Sequence, residues 1–126
     1  MHIVIIDDDS DEIEFMRVAV EACYPDATCT TFNDCHPAIA ALKQTDLCPD
    51  YIFVDVNMRK IDGEECLNII RGYEHLCNSK VIMMSSSMRL YEKKAKNFIA
   101  NGAFAIAEKP DDLDEYGRMF SSVIGK

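Results

Sequence analysis

Short apolar runs alternate with longer stretches of helical period along the whole chain. Five runs of four to six residues are predicted as strands, at residues 3–6, 27–32, 51–54, 81–84 and 103–107. An amphipathic segment follows each run, and this alternation predicts βα units around a parallel sheet. The second run mixes Thr and Cys with apolar residues, which is typical of an edge strand.

Signals for helix ends lie between the strands. Ser10 is predicted to cap the first helix and Pro25 to end it. Pro37 fits the first turn of the second helix, and Asp62 can cap the third. Gly102 supplies a left-handed stop for the fourth helix. The apolar faces expected to be buried are Ile13, Met16, Val20 and Cys23; Leu67 and Ile70; Met88, Tyr91, Ala95 and Phe98; and Leu113, Tyr116, Phe120 and Ile124.

Length and charge limit the functions open to the chain. With 126 residues, 48% of them hydrophobic, residues 1–126 are expected to form one domain around one core. Twenty-two acidic and thirteen basic residues leave a net charge of −9, which argues against nucleic acid as a direct partner. Uninterrupted apolar runs are far shorter than the roughly 18–20 residues that span a bilayer, so no membrane association is expected. Without a signal-peptide pattern at the N-terminus, a cytoplasmic location is the simplest expectation.

The six cysteines lack the spacing of metal or redox motifs. They are Cys23, Cys29, Cys35, Cys48, Cys66 and Cys77. No two of them stand in a CxxC arrangement, and no histidine flanks them at metal-finger spacing. We therefore expect free, mostly buried thiols that behave as small hydrophobic side chains.

Charge-binding residues follow four of the five predicted strands. Asp7 and Asp8 end the first run, Asp55 the third, Ser85 the fourth, and Lys109 follows the fifth. Because the carboxyl ends of parallel strands lie along one edge of an open α/β sheet, these side chains are expected to converge.

The chemistry of this set points to a metal-assisted reaction of a phosphoryl group. Neighbouring carboxylates repel one another unless they share a proton or hold a cation. An all-oxygen site suits Mg²⁺, or Mn²⁺ in its place, with phosphate as a further ligand. Lys109 can hold a phosphoryl oxygen as a point charge, and the Ser85 hydroxyl can donate to another. Asp55 is the best-placed nucleophile for a covalent aspartyl phosphate.

These residues as a set resemble the receiver domain of bacterial response regulators over the whole chain. The similarity rests on the segments at 3–9 and 51–58, on Asp62-Gly63, on 81–86, on Gly102-Ala103 and on Lys109-Pro110. The resemblance implies a flavodoxin-like, doubly wound sheet of five parallel strands in the order 2-1-3-4-5. It also implies a stand-alone, chemotaxis-type response regulator rather than an enzyme acting on a separate substrate.

The resemblance also implies a role for each site residue. Asp55 would accept a phosphoryl group from a sensor histidine kinase or a histidine phosphotransfer protein. Asp8, Asp55 and the backbone carbonyl of Asn57 would bind Mg²⁺ directly, and Asp7 would act mainly through water. Ser85 and Lys109 would contact the phosphoryl oxygens, and the peptide bond between Lys109 and Pro110 is often cis in this family. Phosphorylation would then change the surface that binds a separate downstream protein.

Three positions depart from the family pattern. Ile106 stands three residues before Lys109, where the family usually has the aromatic residue of its switch, so aromatic flipping cannot be assumed. Arg59 replaces a common Pro in the loop after Asp55. Ser85 is the less common hydroxyl at its position, and the serines beside it leave the lifetime of the phosphoryl group open.

Other classes of function remain as alternatives. Ile106 keeps open a receiver-like module that binds partners without phosphorylation. A small Mg²⁺-dependent phosphohydrolase would use Asp55 as nucleophile, but its general acid two residues later is here Asn57, which cannot donate and recover a proton. Flavin binding is disfavoured because no Ser/Thr/Gly-rich phosphate loop follows Ile6.

Overall fold

Five strands and five main helices alternate along the chain in a computed structural model that describes residues 1–125, apart from the side chains of residues 88–91 and 93. The strands are β1 (His2–Ile6), β2 (Thr28–Phe32), β3 (Tyr51–Asp55), β4 (Lys80–Ser85) and β5 (Ala105–Glu108). The helices are α1 (Ser10–Cys23), α2 (Cys35–Leu42), α3 (Gly63–Arg71), α4 (Met88–Ala100) and α5 (Leu113–Ile124). A short 3-10 turn at Glu74–Leu76 lies between α3 and β4.

The strands form one parallel sheet in the order β2-β1-β3-β4-β5. This confirms the predicted flavodoxin-like fold and the edge position of β2. β2 lies on one side of β1, and β3 lies on the other side. The strand order therefore reverses between β1 and β3. Open α/β sheets bind ligands at the carboxyl ends of the strands beside such a reversal.

The core lies on both faces of the sheet. On one face, Val4, Ile52 and Val54 pack against α2, α3 and α4. On the other, Ile5 and Phe53 pack against α1 and α5. Because side chains alternate along a strand, continuously apolar strands bury both faces, which is why helices cover the sheet on both sides.

The fifth strand begins two residues later than predicted. Gly102 has a φ of 104°, and the amides of Gly102 and Ala103 donate to the carbonyls of Ile99 and Phe98. This pair of bonds is a Schellman motif, so Ala103 belongs to the end of α4 rather than to β5. Phe104 is 51% exposed, and its ring lies 5.0 Å from the Lys80 ammonium group.

Two further expectations about the helices are corrected. The carboxylate of Asp9, rather than Ser10, caps α1 by accepting a hydrogen bond from the amide of Asp11. Cys23 and Leu113, expected on buried faces, are exposed because they stand at helix ends beyond the edge of the core. The predicted apolar positions Met88 and Tyr91 have side chains outside the described part of the structure.

The thiols are free, as expected, but most of them are not buried. Cys35 and Cys66 are buried, Cys29 is half-buried, and the other three are exposed. Burial depends on which helix face meets the sheet, which the spacing of the cysteines does not reveal. Among the described residues, the structure contains no helix that combines the length and the apolar character needed to cross a bilayer.

Candidate functional site

Three carboxylates meet where β1 and β3 end. Each of Asp7, Asp8 and Asp55 offers one carboxylate oxygen, and these oxygens lie within 4.8 Å of one another. Asp7 and Asp55 are 2% and 5% exposed, whereas Asp8 is more open to solvent. The cluster is therefore buried on the sheet side and open towards the loops.

Pairing of adjacent strands brings the carboxylates together. The last residue of β1 lies beside Val54 of β3, one residue before Asp55. The Asp9 amide donates to one oxygen of Asp7 at 2.9 Å, and the Asn57 amide donates to Oδ1 of Asp55 at 3.3 Å. These local bonds orient both buried side chains.

Lys109 joins the cluster from the end of β5. Its Nζ lies 2.9 Å from Oδ2 of Asp7 and 3.3 Å from Oδ1 of Asp55. Its own amide donates to the carbonyl of Ser85 at 2.7 Å, which fixes the backbone beside the end of β4. The peptide bond to Pro110 is trans, unlike the cis form common in the family the sequence resembles. The trans form is favoured intrinsically, and in it the ammonium group already reaches both carboxylates.

The electrostatics of the cluster favour an additional cation. Burial raises the pKa of Asp7 to about 6, and the charge of Asp55 adds to this effect while Lys109 opposes it. Burial by itself would lower the pKa of Lys109, but its contacts with Asp7 and Asp55 raise that pKa above its usual value. The Lys109 ammonium group thus contacts two of the three carboxylates, Asp7 and Asp55. This all-oxygen donor set fits Mg²⁺ or Mn²⁺.

The Ser85 hydroxyl is buried but bonded within its own loop. It donates to the carbonyl of Ser87 at 2.9 Å and accepts from the Ser87 amide at 3.1 Å. Such a bond pair is a local serine turn that holds the start of the β4–α4 loop. A group placed on Asp55 would compete with these backbone partners for the hydroxyl.

The loop after Asp55 carries the remaining predicted residues. Asn57 and Arg59 are exposed, and the amide of Arg59 donates to Oδ2 of Asp8 at 3.3 Å. Ile106 is half-buried against the core shared by α2, α3 and α4. Its side chain offers no hydrogen-bonding group to the site.

Gly63 is a site residue whose role the sequence analysis missed. A Cβ at this position would lie 2.5 Å from the carbonyl oxygen of Asp55 and 2.6 Å from the Cα of Val56. The Gly63 amide also donates to the Val56 carbonyl at 3.0 Å. Only glycine lets α3 begin this close to the backbone that carries Asp55. The glycine directly after a capping Asp is the signal that could have revealed this contact.

Comparison with known proteins identifies a family. The family model for the response regulator receiver domain matches residues 3–119. No curated protein gives a significant match to the chain.

Solved structures with the same fold cover nearly the whole chain. The phosphorylated cyanobacterial phytochrome response regulator RcpA is 21% identical, with 98% of this chain and 93% of that chain covered and a TM-score of 0.84. The chemotaxis protein CheY4 of Vibrio cholerae is 19% identical, with 97% of each chain covered and a TM-score of 0.82. The Mn²⁺-bound form of response regulator Rcp1 is 20% identical, with 99% of this chain and 94% of that chain covered and a TM-score of 0.83.

Proposed function

Because the chain belongs to the response regulator receiver domain family, we propose that it is a phosphoacceptor that receives a phosphoryl group on Asp55. The observation that carries the proposal is the ion-pair arrangement in which Lys109 lies between the buried carboxylates of Asp7 and Asp55. The donor is the phosphohistidine of a sensor histidine kinase or of a histidine phosphotransfer protein. The protein acts in the cytoplasm as part of a two-component system or phosphorelay.

Mg²⁺ is the proposed cofactor. Asp8, Asp55 and the backbone carbonyl of Asn57 would hold the ion, and Asp7 would contact it through water. The ion would neutralise charge on the carboxylates and on the incoming phosphoryl oxygens. Two solved relatives are consistent with such a site, since one is described as Mn²⁺-bound and another as phosphorylated.

The chain's own residues supply the rest of the chemistry. An Asp55 carboxylate oxygen attacks phosphorus, the bond from phosphorus to the donor histidine nitrogen breaks, and the nitrogen keeps the electron pair. Lys109 is already beside Asp55 and binds a phosphoryl oxygen as a fixed positive charge. The protein thus takes part in its own phosphorylation and dephosphorylation and turns over no separate substrate.

The signal follows from the added charge. A phosphoryl group brings nearly two negative charges beside Asp7 and Asp8. Ser85 would turn from the Ser87 backbone towards the new oxygens, which releases the start of the β4–α4 loop. The surface formed by α4, β5 and α5 then shifts its population of conformations and changes its affinity for a downstream protein. Because Ile106 stands where the family usually has an aromatic residue, the proposed shift does not assume an aromatic rotation at this position.

Intact-mass measurement tests the proposal. The protein is incubated with Mg²⁺ and acetyl phosphate, beside Asp55→Asn and the matched control Asp26→Asn, which changes an exposed carboxylate in the loop before β2, at the opposite edge of the sheet. We expect one phosphoryl adduct that requires Mg²⁺, is lost at alkaline pH, forms on Asp26→Asn and is absent from Asp55→Asn. A folded protein that binds Mg²⁺ without forming the adduct would favour a phosphorylation-independent binding module. Many turnovers of released phosphate would favour a phosphohydrolase.

A further inference from the structure

A polar groove lies beside the carboxylate cluster. Its volume is about 390 Å³, and its lining comes from the loops that follow β1, β2 and β3: Asp8, Asn33, Asp34, Met58, Arg59 and Lys60. Asp8 belongs both to this groove and to the cluster with Asp7 and Asp55. A ligand that enters the groove therefore lies next to the proposed phosphoacceptor.

The charges of the groove leave one cation available to a ligand. Lys60 is paired with Asp34, whose Oδ2 lies 3.6 Å from the Lys60 Nζ. Asp8 would be neutralised by the cation that the cluster is proposed to hold. Arg59 is exposed, and no carboxylate in the described part of the chain lies within ion-pair distance of its guanidinium group. The positive charge of Arg59 thus makes the groove suitable for an anionic ligand.

The backbone of Arg59 is held next to the cluster. Its amide donates to Oδ2 of Asp8 at 3.3 Å, and one oxygen of Asp8 lies within 4.8 Å of an oxygen of Asp55. Lys109 contacts Asp55 with its Nζ 3.3 Å from Oδ1. Asp8 follows β1 and Lys109 follows β5, and these strands lie on opposite sides of β3 in the sheet. Arg59 and Lys109 therefore border the cluster on two sides.

The proline that is common at this position in the family could supply neither feature of Arg59. Proline has no amide hydrogen to donate to Asp8 and no charge to offer a ligand. Arginine presents several N–H donors in a planar fork, which binds phosphate oxygens in pairs. The residue that departs from the family pattern thus adds a phosphate-binding group beside the phosphoacceptor.

We propose that Arg59 binds phosphoryl oxygens of the incoming donor and strengthens donor binding before transfer to Asp55. This role rests on the proposed function, since it concerns the donor of the same reaction. The ligand is the dianionic phosphoryl group itself, whether a histidine nitrogen or an acyl oxygen carries it. Asp7 and Asp55 are buried, so the donor approaches from the more open side at Asp8, where Arg59 is anchored.

The rate of adduct formation at different donor concentrations tests the role of Arg59. Intact mass follows the reaction with saturating Mg²⁺ for the natural sequence, Arg59→Gln, Arg59→Lys and the matched control Arg118→Gln. Arg118 is an exposed residue of α5, and its replacement makes the same change in net charge. For Arg59→Gln we expect the half-saturating concentration of acetyl phosphate to rise about 3- to 10-fold, between the effects of an exposed ion pair and of a charge-assisted hydrogen bond. Arg59→Lys should recover part of this loss, and Arg118→Gln should show little of it.

A second donor and a change of salt identify the group that Arg59 recognises. Phosphoramidate carries its phosphoryl group on nitrogen, as phosphohistidine does, and Arg59→Gln should impair its use to a similar extent. The impairment should shrink at high ionic strength, because salt screens exposed charges. A defect with acetyl phosphate alone would assign Arg59 to the acyl part of that donor and overturn the proposal. Equal donor use by Arg59→Gln and Arg118→Gln would overturn it as well.

Binding measurements separate this role from a structural one. Calorimetry with Mg²⁺ alone should show that Arg59→Gln binds the ion as tightly as the natural sequence or more tightly, because a nearby positive charge is removed. Weaker Mg²⁺ binding in Arg59→Gln would mean that the replacement disrupts the site and would overturn the proposal.

Titration with inorganic phosphate gives a readout that needs no covalent step. Amide NMR spectra of the Mg²⁺-loaded proteins should show weaker phosphate binding in Arg59→Gln than in Arg118→Gln. If the natural sequence forms no adduct, the proposed phosphoacceptor function fails, and this titration still decides whether Arg59 binds a phosphoryl group. Equal phosphate binding by the two variants would overturn the assignment.

Discussion

Charge imbalance around Asp7 is the main feature at the scale of single residues. The Asp7 carboxyl is buried, and its pKa rises from 3.8 to about 6. Between these values the folded state binds more protons than the unfolded state, so this group makes the free energy of unfolding fall as pH rises from about 4 to about 6. Above that range, the ionised Asp7 destabilises the protein that lacks a bound cation.

Removing this charge is expected to stabilise the protein in the absence of metal. Asp7→Asn should raise the free energy of unfolding by about 1–3 kcal/mol near pH 7.5, because one pKa unit corresponds to about 1.4 kcal/mol. Lys109 keeps Asp55 as its partner in this variant. Urea unfolding in EDTA from pH 4 to 8 measures the difference, which should shrink towards zero at the acidic end.

Asp26→Asn, at an exposed position, is the matched control and should change stability little. If Asp7→Asn is less stable than the natural sequence near pH 7.5, the ion pair between Asp7 and Lys109 outweighs the cost of burying the Asp7 charge.

The start of α3 shows how one element positions another. Asp62 caps the helix by accepting from the amide of Glu65 at 2.9 Å. The next residue, Gly63, lies against the backbone of Asp55 and Val56 with no space for a side chain. The start of α3 therefore supports the backbone that carries Asp55, the proposed phosphoacceptor.

Gly63→Ala is expected to displace this support. The added methyl group would have to push α3 from β3, and overpacking of this kind costs about 1–3 kcal/mol of the free energy of unfolding. Gly117→Ala is the control within α5, where the new Cβ would meet only the Cys23 thiol at 3.4 Å. It should stabilise the protein by about 0.5–1 kcal/mol, because alanine favours a helix interior over glycine. Denaturant unfolding compares the two variants, and equal effects would contradict the proposed close contact.

At the scale of the whole molecule, aromatic contacts connect the sheet to α1 and α5. The Phe53 and Phe120 rings meet edge to face with centroids 5.1 Å apart, and Phe120 stacks on Tyr116. The Tyr116 hydroxyl donates to the Glu12 carboxylate, which joins α5 to α1. Burial and this hydrogen bond raise the pKa of Tyr116. One face of the domain is thus held together through a continuous set of side chains.

Truncation of this aromatic set should destabilise the entire domain. Phe120→Ala is expected to lower the free energy of unfolding by about 3–5 kcal/mol, because it leaves a cavity in a fully buried position. Phe15, which is 46% exposed, is the matched control, and Phe15→Ala should cost less than about 1 kcal/mol. Thermal and urea unfolding measure both. Similar losses in the two variants would contradict a core centred on Phe120.

Binding of a metal ion should also act on the whole domain. If Mg²⁺ binds the carboxylate cluster only in the folded state, free Mg²⁺ at about a hundred times its Kd raises the free energy of unfolding by about 2.7 kcal/mol. Asp8→Asn should abolish most of this increase, and EDTA should reverse it. An increase of the same size in Asp8→Asn would place the ion elsewhere. Thermal unfolding with and without Mg²⁺ measures the effect.

Local sequence patterns determined the elements of this fold. The apolar runs and helical periods predicted all five strands and five helices, because the spacing of apolar residues reflects which face of each segment is buried. They also placed Asp7, Asp8 and Asp55 directly after strands, and Gly102 at the end of α4. The strand order came from the family resemblance rather than from periodicity, since pairing between distant strands leaves no local pattern.

Tertiary structure alone decided the contacts between distant segments. It paired Lys109 with Asp7 and Asp55, and it brought Gly63 against the Asp55 backbone. It also buried Cys35 and Cys66 while it left Cys23, Cys48 and Cys77 exposed. Such contacts depend on how helices pack on the sheet and on which hydrogen-bond partners compete for each group. The sequence by itself therefore determined the elements and the chemical types at their ends, and packing between elements decided which of those groups meet.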